Sequence, residues 1–323
     1  MAASATLAVG VTLMSDVLIT SLMVGMDPPP AREPSGRVAA REALLAWFDA
    51  EAPSYPWRRR ERDPYAVLVS EVMLQQTQAA RVVDAFPRFL GLFPNVGALA
   101  RATRASALRA WAGLGYNRRA VALHRAARSI VGDHGGRVPA DVSTLLELPG
   151  VGPYTAAAVA SIAFGVPVPA IDTNARKVVS RLALGVEPGE TSTTEIVREA
   201  GRWLARDRPG DWNQAVMNLG RQVCRPVPRC DVCPLSPACR FRMAGRSGQR
   251  SAPAMRQPAF EGSMRQVRGR VVDELRGRTH AIPTEALADA IGESPVRIEV
   301  AIDALQRDGV VERTAAGRVR LPR

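Results

Sequence analysis

A chain of 323 residues with a formal net charge of +12 and a pI near 10.8 is long enough for two domains and biased toward a polyanionic partner. All but one of its 43 basic residues are arginine, Lys177 being the only lysine, so amine chemistry has a single candidate. The four cysteines fall between positions 224 and 239, which excludes a cysteine-dense secreted scaffold and points to a metal or cluster site.

Residues 2–25 are apolar, broken by Asp16. They lack the basic start of a signal peptide, and the uncharged run from Val17 to Met26 is too short to span a bilayer. Residues 1–25 therefore read as an upstream extension from a misplaced start codon. Residues 26–36, with three consecutive prolines, complete a disordered leader, 1–36.

From Arg37 the spacing of Val38, Leu44, Leu45 and Phe48 predicts an amphipathic helix. Pro53 and Pro56 break it, giving the loop Tyr55-Pro-Trp57-Arg58-Arg59-Arg60. Asp63-Pro64 caps a helix expected from about Tyr65 to Thr77. Further helices are expected at about 79–92, 95–101, 105–112, 117–133, 141–147, 153–164, 173–184, 193–205 and 211–223. No alternating strand series is visible before residue 240, so the segment 37–243 reads as all-α. Residues 244–264 form a linker rich in Gly, Ser, Arg and Pro. The tail, 265–323, reads as three helices and a β-hairpin, the pattern of a small α+β winged helix.

One turn stands out, Leu148-Pro-Gly-Val-Gly-Pro-Tyr-Thr155. Gly150 and Gly152 allow positive φ or close approach of another backbone, and the amides opening the next helix make an anion site. An ordinary helix–helix turn has the same composition. Glu71 lies in Ser70-Glu-Val-Met-Leu-Gln-Gln-Thr77 beside Val67, Leu68, Met73 and Leu74. There it reads either as a desolvated general acid or as a surface glutamate. Asp172, before Thr-Asn174, reads as an N-cap. Together, two carboxylates on different elements suit glycosidic-bond cleavage. Trp57, Arg58, Gln75, Gln76 and Tyr116 read as stacking or wedging residues, or as core and rim.

The cysteine spacing C-x5-C-x2-C-x5-C, over Cys224, Cys230, Cys233 and Cys239, suits a 4Fe–4S cluster, with zinc as the alternative. Arg225 and Arg229 in the first spacer make that loop a candidate phosphate contact. His124 and His134 read as ordinary helix residues. No Ser/His/Asp triad or nucleotide-binding Gly-rich loop is present.

Taken in order, these motifs resemble the helix-hairpin-helix DNA glycosylases, and within them the MutY family of adenine glycosylases, over about residues 37–243. Pro56-Trp-Arg58, Glu71-Val-Met-Leu-Gln-Gln-Thr77, Gly113-Leu-Gly-Tyr116, the 148–155 turn, Asp172-Thr-Asn174, Asn213-Gln-Ala and the cysteine run carry the likeness. The resemblance implies a two-lobed helical core with an iron–sulfur loop at 224–239. It also implies base excision repair: adenine opposite 8-oxoguanine or guanine is flipped from mismatched double-stranded DNA, and its N-glycosidic bond is hydrolysed. Carried over, Glu71 protonates adenine at N7 and later helps activate water. Asp172 stabilises the oxocarbenium sugar, Asn174 positions Asp172, and Tyr154 lines the pocket. Gln76 and Tyr116, with Gln75 and Thr77 beside them, wedge into the stack. The amides of Gly150, Val151 and Gly152 hold a phosphate, and the four cysteines hold the cluster.

Relatives that also nick the strand place a lysine two residues after the second hairpin glycine. Here that position is Tyr154, so the expectation is a monofunctional glycosylase that leaves an abasic site. The family's first cysteine spacer is six residues and here it is five. The Phe-Ser-His loop of its MutT-like C-terminal domain is absent, and the tail instead resembles shorter actinobacterial-type members. A cytoplasmic, nucleoid-associated bacterial monomer with no membrane partner is implied. Two other readings stay open: a thymine or uracil mismatch glycosylase, and a DNA-binding regulator with an inactive glycosylase domain.

Overall fold

Capping chemistry explains most of the helix starts. In the computed structural model, which describes residues 34–58, 62–250 and 258–323, α1 spans Ser35–Glu51 and buries Ala40, Leu44, Leu45 and Phe48. The Asp63 side chain accepts from Tyr65 and Ala66 N–H to open α2, Pro64–Leu74. Asn95, Thr103 and Asp141 cap α4 (Val96–Arg101), α5 (Arg104–Ala110) and α7 (Val142–Glu147) in the same way. Between them lie α3 (Ala79–Leu92) and α6 (Arg118–Asp133).

The helix α8, Pro153–Phe164, is apolar all round and buries every residue from Thr155 to Ile162, as a central helix must. It packs on α2, α7 and α11 (Pro209–Gln222). After it the chain runs extended to α9, Thr173–Val179, which continues into a π turn, Ser180–Leu184. The second lobe is built from α1, α9, α10 (Thr193–Trp203) and α11, with the cysteine loop and the short α12 (Arg240–Met243) against it.

The tail forms α13 (Met264–Arg276), α14 (Thr284–Ile291), α15 (Pro295–Arg307) and a hairpin of β1 (Glu312–Arg313) and β2 (Val319–Arg320). Glu312 pairs with Arg320, and Ile282 adds an antiparallel bridge to Val319, the order of a winged helix with a minimal sheet. Its core residues, Val271, Ile302 and Leu321 among them, join the core of the first lobe. Arg276 donates to the Leu108 carbonyl at 3.0 Å and to Asn117 at 2.8 Å, and Ala105 N–H donates to the Pro322 carbonyl. The helices lie within a few residues of the expected ones, and the tail, expected after a linker at 244–264, docks on the first lobe. The leader up to residue 33, Arg59, Arg60 and residues 251–257 of the linker lie outside the described residues. No helix among the described residues is long and apolar enough to cross a membrane.

Candidate active site

Glu71 sits on the inner face of α2, only 6% exposed. Its Oε2 accepts a hydrogen bond of 2.7 Å from the Tyr154 hydroxyl, which reaches across from the first turn of α8. Burial raises the carboxyl to about 7, assisted by the nearby Asp172 charge. The Tyr154 hydrogen bond and the Arg58 guanidinium pull the other way. Of the two readings of Glu71, desolvated acid or surface glutamate, the structure has the desolvated one.

Asp172 caps α9, with Oδ1 accepting from Ala175 N–H at 2.6 Å and Oδ2 from Asn174 Nδ2 at 3.2 Å. Burial pushes its carboxyl up, and these hydrogen bonds hold it down. The N-cap reading is therefore correct, and the capped carboxylate lies near enough to Glu71 for its charge to raise the Glu71 carboxyl. Asn213 fixes the extended strand leading to Asp172. Its amide accepts from Ala170 N–H and donates to Val168 C=O and the Ser161 hydroxyl, all at 2.8–2.9 Å. Asn174 is pressed against Gly220 of α11, where an added Cβ would lie 2.7 Å from the Asn174 Cβ. Lys177, the only lysine, stands between Asp172 and Cys224, and burial depresses its amine.

The wedge candidates lie on two loops held together by a residue the sequence reading passed over, Arg119. Its buried guanidinium donates to the carbonyls of Val72, Met73 and Gln75 at the end of α2, to Leu114 and Gly115, and to the Thr77 hydroxyl. These are the orphan carbonyls of a helix C-terminus, so one cation caps α2 and ties it to the 114–116 turn. Gln76 and Tyr116 both have positive φ, +54° and +45°, a strained conformation that clusters at functional sites. Gln75 donates to the Thr155 hydroxyl at 3.0 Å. A cleft of about 440 Å³ opens here, lined by Gln76, Tyr116, Arg118, Gly150 and, from the tail, Arg307 and Asp308.

In the hairpin, Gly150 has φ +80° and an added Cβ would meet the Ala122 Cβ at 2.6 Å, so internal packing demands glycine. Gly152 has φ −98° and open space where a Cβ would point. Nothing inside the protein requires a glycine there, which leaves approach from outside. The Val151 amide is already bonded to the Leu148 carbonyl, unlike the expectation that it faces a ligand. The Gly152 amide makes no backbone hydrogen bond among the described residues.

Two stacking candidates are committed within the protein. Trp57 stacks on Tyr55 at 4.6 Å and meets Phe86 edge-on. Arg58 donates to the Pro53 carbonyl and to Asn218, both at 3.1 Å, and lies over Phe48 and Tyr55.

Cys224, Cys230, Cys233 and Cys239 line one small cavity with Arg181 and Phe241. Arg181, 1% exposed, holds this loop. It pairs with Glu187 at 2.7 Å and donates to the Arg225 carbonyl at 2.8 Å and to the Cys224 sulfur at 3.5 Å. Burial raises the thiols of Cys224, Cys233 and Cys239, Cys233 to about 12, so thiolates there need a compensating cation. Among the described residues, no three or more His, Cys, Asp or Glu converge to hold a single metal ion. Arg225 and Arg229 are exposed on the first spacer. No sequence pattern distinguishes Arg119 or Arg181 from the many other arginines.

The family model that matches is the HhH-GPD superfamily base excision DNA repair protein, over residues 69–204. The adenine DNA glycosylase of Mycolicibacterium smegmatis is 41% identical over 280 residues, covering 86% of this chain and 94% of that one. The human adenine DNA glycosylase is 43% identical over 215 residues, 63% of this chain and 39% of that one. Among solved structures, a thermostable thymine-DNA glycosylase superposes with a TM-score of 0.60 at 27% identity, covering 65% of this chain and 97% of that one.

Proposed function

Because the chain belongs to the adenine DNA glycosylase family of the HhH-GPD superfamily, we propose that it removes adenine mispaired with 8-oxoguanine or guanine by hydrolysing the N-glycosidic bond. The observation that carries the mechanism is Glu71 buried beside Asp172 with its carboxyl raised to about 7. Half of such a group is protonated at neutral pH, the state an acid catalyst needs.

The flipped adenine is brought to Glu71, where α2 meets the start of α8. Glu71, held by the Tyr154 hydroxyl on Oε2, delivers its proton to N7, turning the base into a neutral leaving group. As the bond to C1′ breaks, positive charge grows on the sugar. Asp172 faces it, oriented by Asn174 and the Ala175 amide. Glu71, now ionised, accepts a proton from the water that attacks C1′. Gln76 and Tyr116 fill the gap in the stack, and the Gly150–Gly152 hairpin, through its free Gly152 amide, holds a backbone phosphate, while the exposed Arg225 and Arg229 contact phosphates from the cysteine loop. Tyr154 offers a phenol where an amine nucleophile would stand, which supports a monofunctional enzyme that leaves an abasic site. Four thiols on one cavity, flanked by Arg181, suit a 4Fe–4S cluster. When bound, it would order the 224–239 loop as a structural and electrostatic element. We assign this work to a monomer in the bacterial cytoplasm, on the nucleoid.

The test is excision from duplexes carrying A:8-oxoG, A:G, T:G and U:G, followed by alkaline cleavage of abasic sites. Release of adenine from the first two supports the proposal. Release from T:G or U:G alone would make it a pyrimidine mismatch enzyme, and release from none would leave a DNA-binding regulator.

A further inference from the structure

Fourteen of the described arginines lack the side-chain partner that the others have. Arg62, Arg181, Arg208, Arg246, Arg276 and Arg313 pair with carboxylates, among others. Among the described residues, Arg101, Arg104, Arg118, Arg125, Arg128, Arg307 and Arg323 are seven of the fourteen that make no side-chain hydrogen bond or ion pair. Five of the fourteen, Arg101, Arg104, Arg125, Arg128 and Arg323, line a single pocket of about 400 Å³. It lies where the α4–α5 corner and α6 meet the end of the winged-helix tail. The turn after α15 closes one wall: a Cβ added at Gly309 would lie 3.0 Å from the Arg125 guanidinium and 3.8 Å from that of Arg104. The neighbouring pocket, which shares Thr103 and Arg323, differs. Its Arg109, Arg278 and Arg320 are all partnered, with the Arg276 carbonyl, Glu274 and Glu312.

A buried residue points the same way. His124 lines the arginine pocket and is 4% exposed. Its Nε2 donates to the Ala102 carbonyl at 2.8 Å, while its Nδ1 is buried with no partner. Burial and the charges of Arg128, Arg104 and Arg125 hold the ring neutral. Unpaired buried polar atoms cost free energy, and so does crowding cations without an anion. A single oxyanion resolves both: it neutralises the guanidinium groups and draws a second proton onto Nδ1, which then donates to it.

We propose that this pocket is a phosphate-binding site, distinct from the hairpin and the lesion cleft. Its ligand chemistry is a phosphate oxyanion held by bidentate guanidinium contacts. Two sources share that chemistry: a backbone phosphate of the duplex flanking the lesion, or a free phosphorylated small molecule. Arg125 lines both this pocket and the lesion cleft, so a single duplex can run from one to the other.

The test uses the full chain and the variant R104Q/R128Q, with Arg101→Gln as a second variant should the pair disturb folding. In the first arm, inorganic pyrophosphate is titrated while the imidazole signals are followed by NMR, with His134 as the internal reference. The wild type should show a saturable shift at His124 that the variant lacks. In the second arm, affinity is measured for short and extended lesion duplexes at several salt concentrations. Extension should tighten wild-type binding about tenfold, with the gain lost in R104Q/R128Q and the salt slope reduced by about 2. Extension gain lost in the variant assigns the pocket to flanking DNA. A pyrophosphate response without that gain assigns it to a solution ligand. No His124 response, together with unchanged duplex affinity in the variant, overturns the proposal.

Discussion

A carboxylate with an ordinary pKa cannot donate a proton at neutral pH, and what changes Glu71 is its surroundings. The residue's folded-state value of about 7 lies above its ordinary 4.5. Its protonated form is therefore stabilised by folding, and the associated stability is lost as pH rises from 4.5 through 7. Ionised Glu71 then costs up to about 3 kcal/mol. The variant Glu71→Gln is isosteric and stays neutral. In urea unfolding it should match the wild type near pH 4 and exceed its stability by about 1–3 kcal/mol at pH 8. Equal stabilities at both pH values would mean Glu71 is solvated. The Tyr154 hydroxyl stabilises the ionised form through its 2.7 Å hydrogen bond. Tyr154→Phe should accordingly move the alkaline limb of the excision profile to higher pH, while an unmoved limb would show that the bond is absent in the working enzyme.

At the scale of elements, the hairpin separates two glycines that look alike in the sequence. Gly150→Ala puts a methyl into Ala122 at a positive φ, and should destabilise the fold by about 2 kcal/mol or more. Gly152→Ala meets open space, so the melting temperature should be unchanged and DNA affinity should fall several-fold; a folding defect at Gly152 would refute the external-approach argument. Arg119 matters at the same scale. Arg119→Met would strand buried carbonyls on α2 and the 114–115 turn, costing about 3 kcal/mol or more in chemical denaturation. The helices were legible because capping residues such as Asp63, Asn95 and Asp141 sit directly before apolar periodic runs. Glu71 and Asp172 were legible as candidates from their motifs and Tyr154 from the resemblance, and for Glu71 burial separates a desolvated carboxyl from a surface one. Arg119 and Arg181 were not legible, because their importance lies in carbonyls and sulfurs brought together from distant loops. Trp57 was ambiguous for a related reason: its ring is covered by Tyr55 and Phe86, a contact no local pattern shows.

At the scale of the molecule, the described residues form two apolar cores. One is shared by α2–α8 and the tail, the other by α1, α9–α11 and the cysteine loop. The docking of the tail on α5 and α6 is not legible in the sequence, since Arg276 bonds to partners more than 150 residues away. Removing residues 258–323 would uncover that shared surface. The truncated protein should melt several degrees lower, and an unchanged melting temperature would show the docking to be energetically neutral.

The whole enzyme acting on its whole substrate gives the most direct test. Single-turnover excision of adenine from an A:8-oxoG duplex, measured from pH 5 to pH 9, should fall about tenfold per pH unit above about 7 for the wild type. It should be lost in Glu71→Gln with duplex binding retained. A rate that stays flat to pH 9, or survives in Glu71→Gln, would contradict the account.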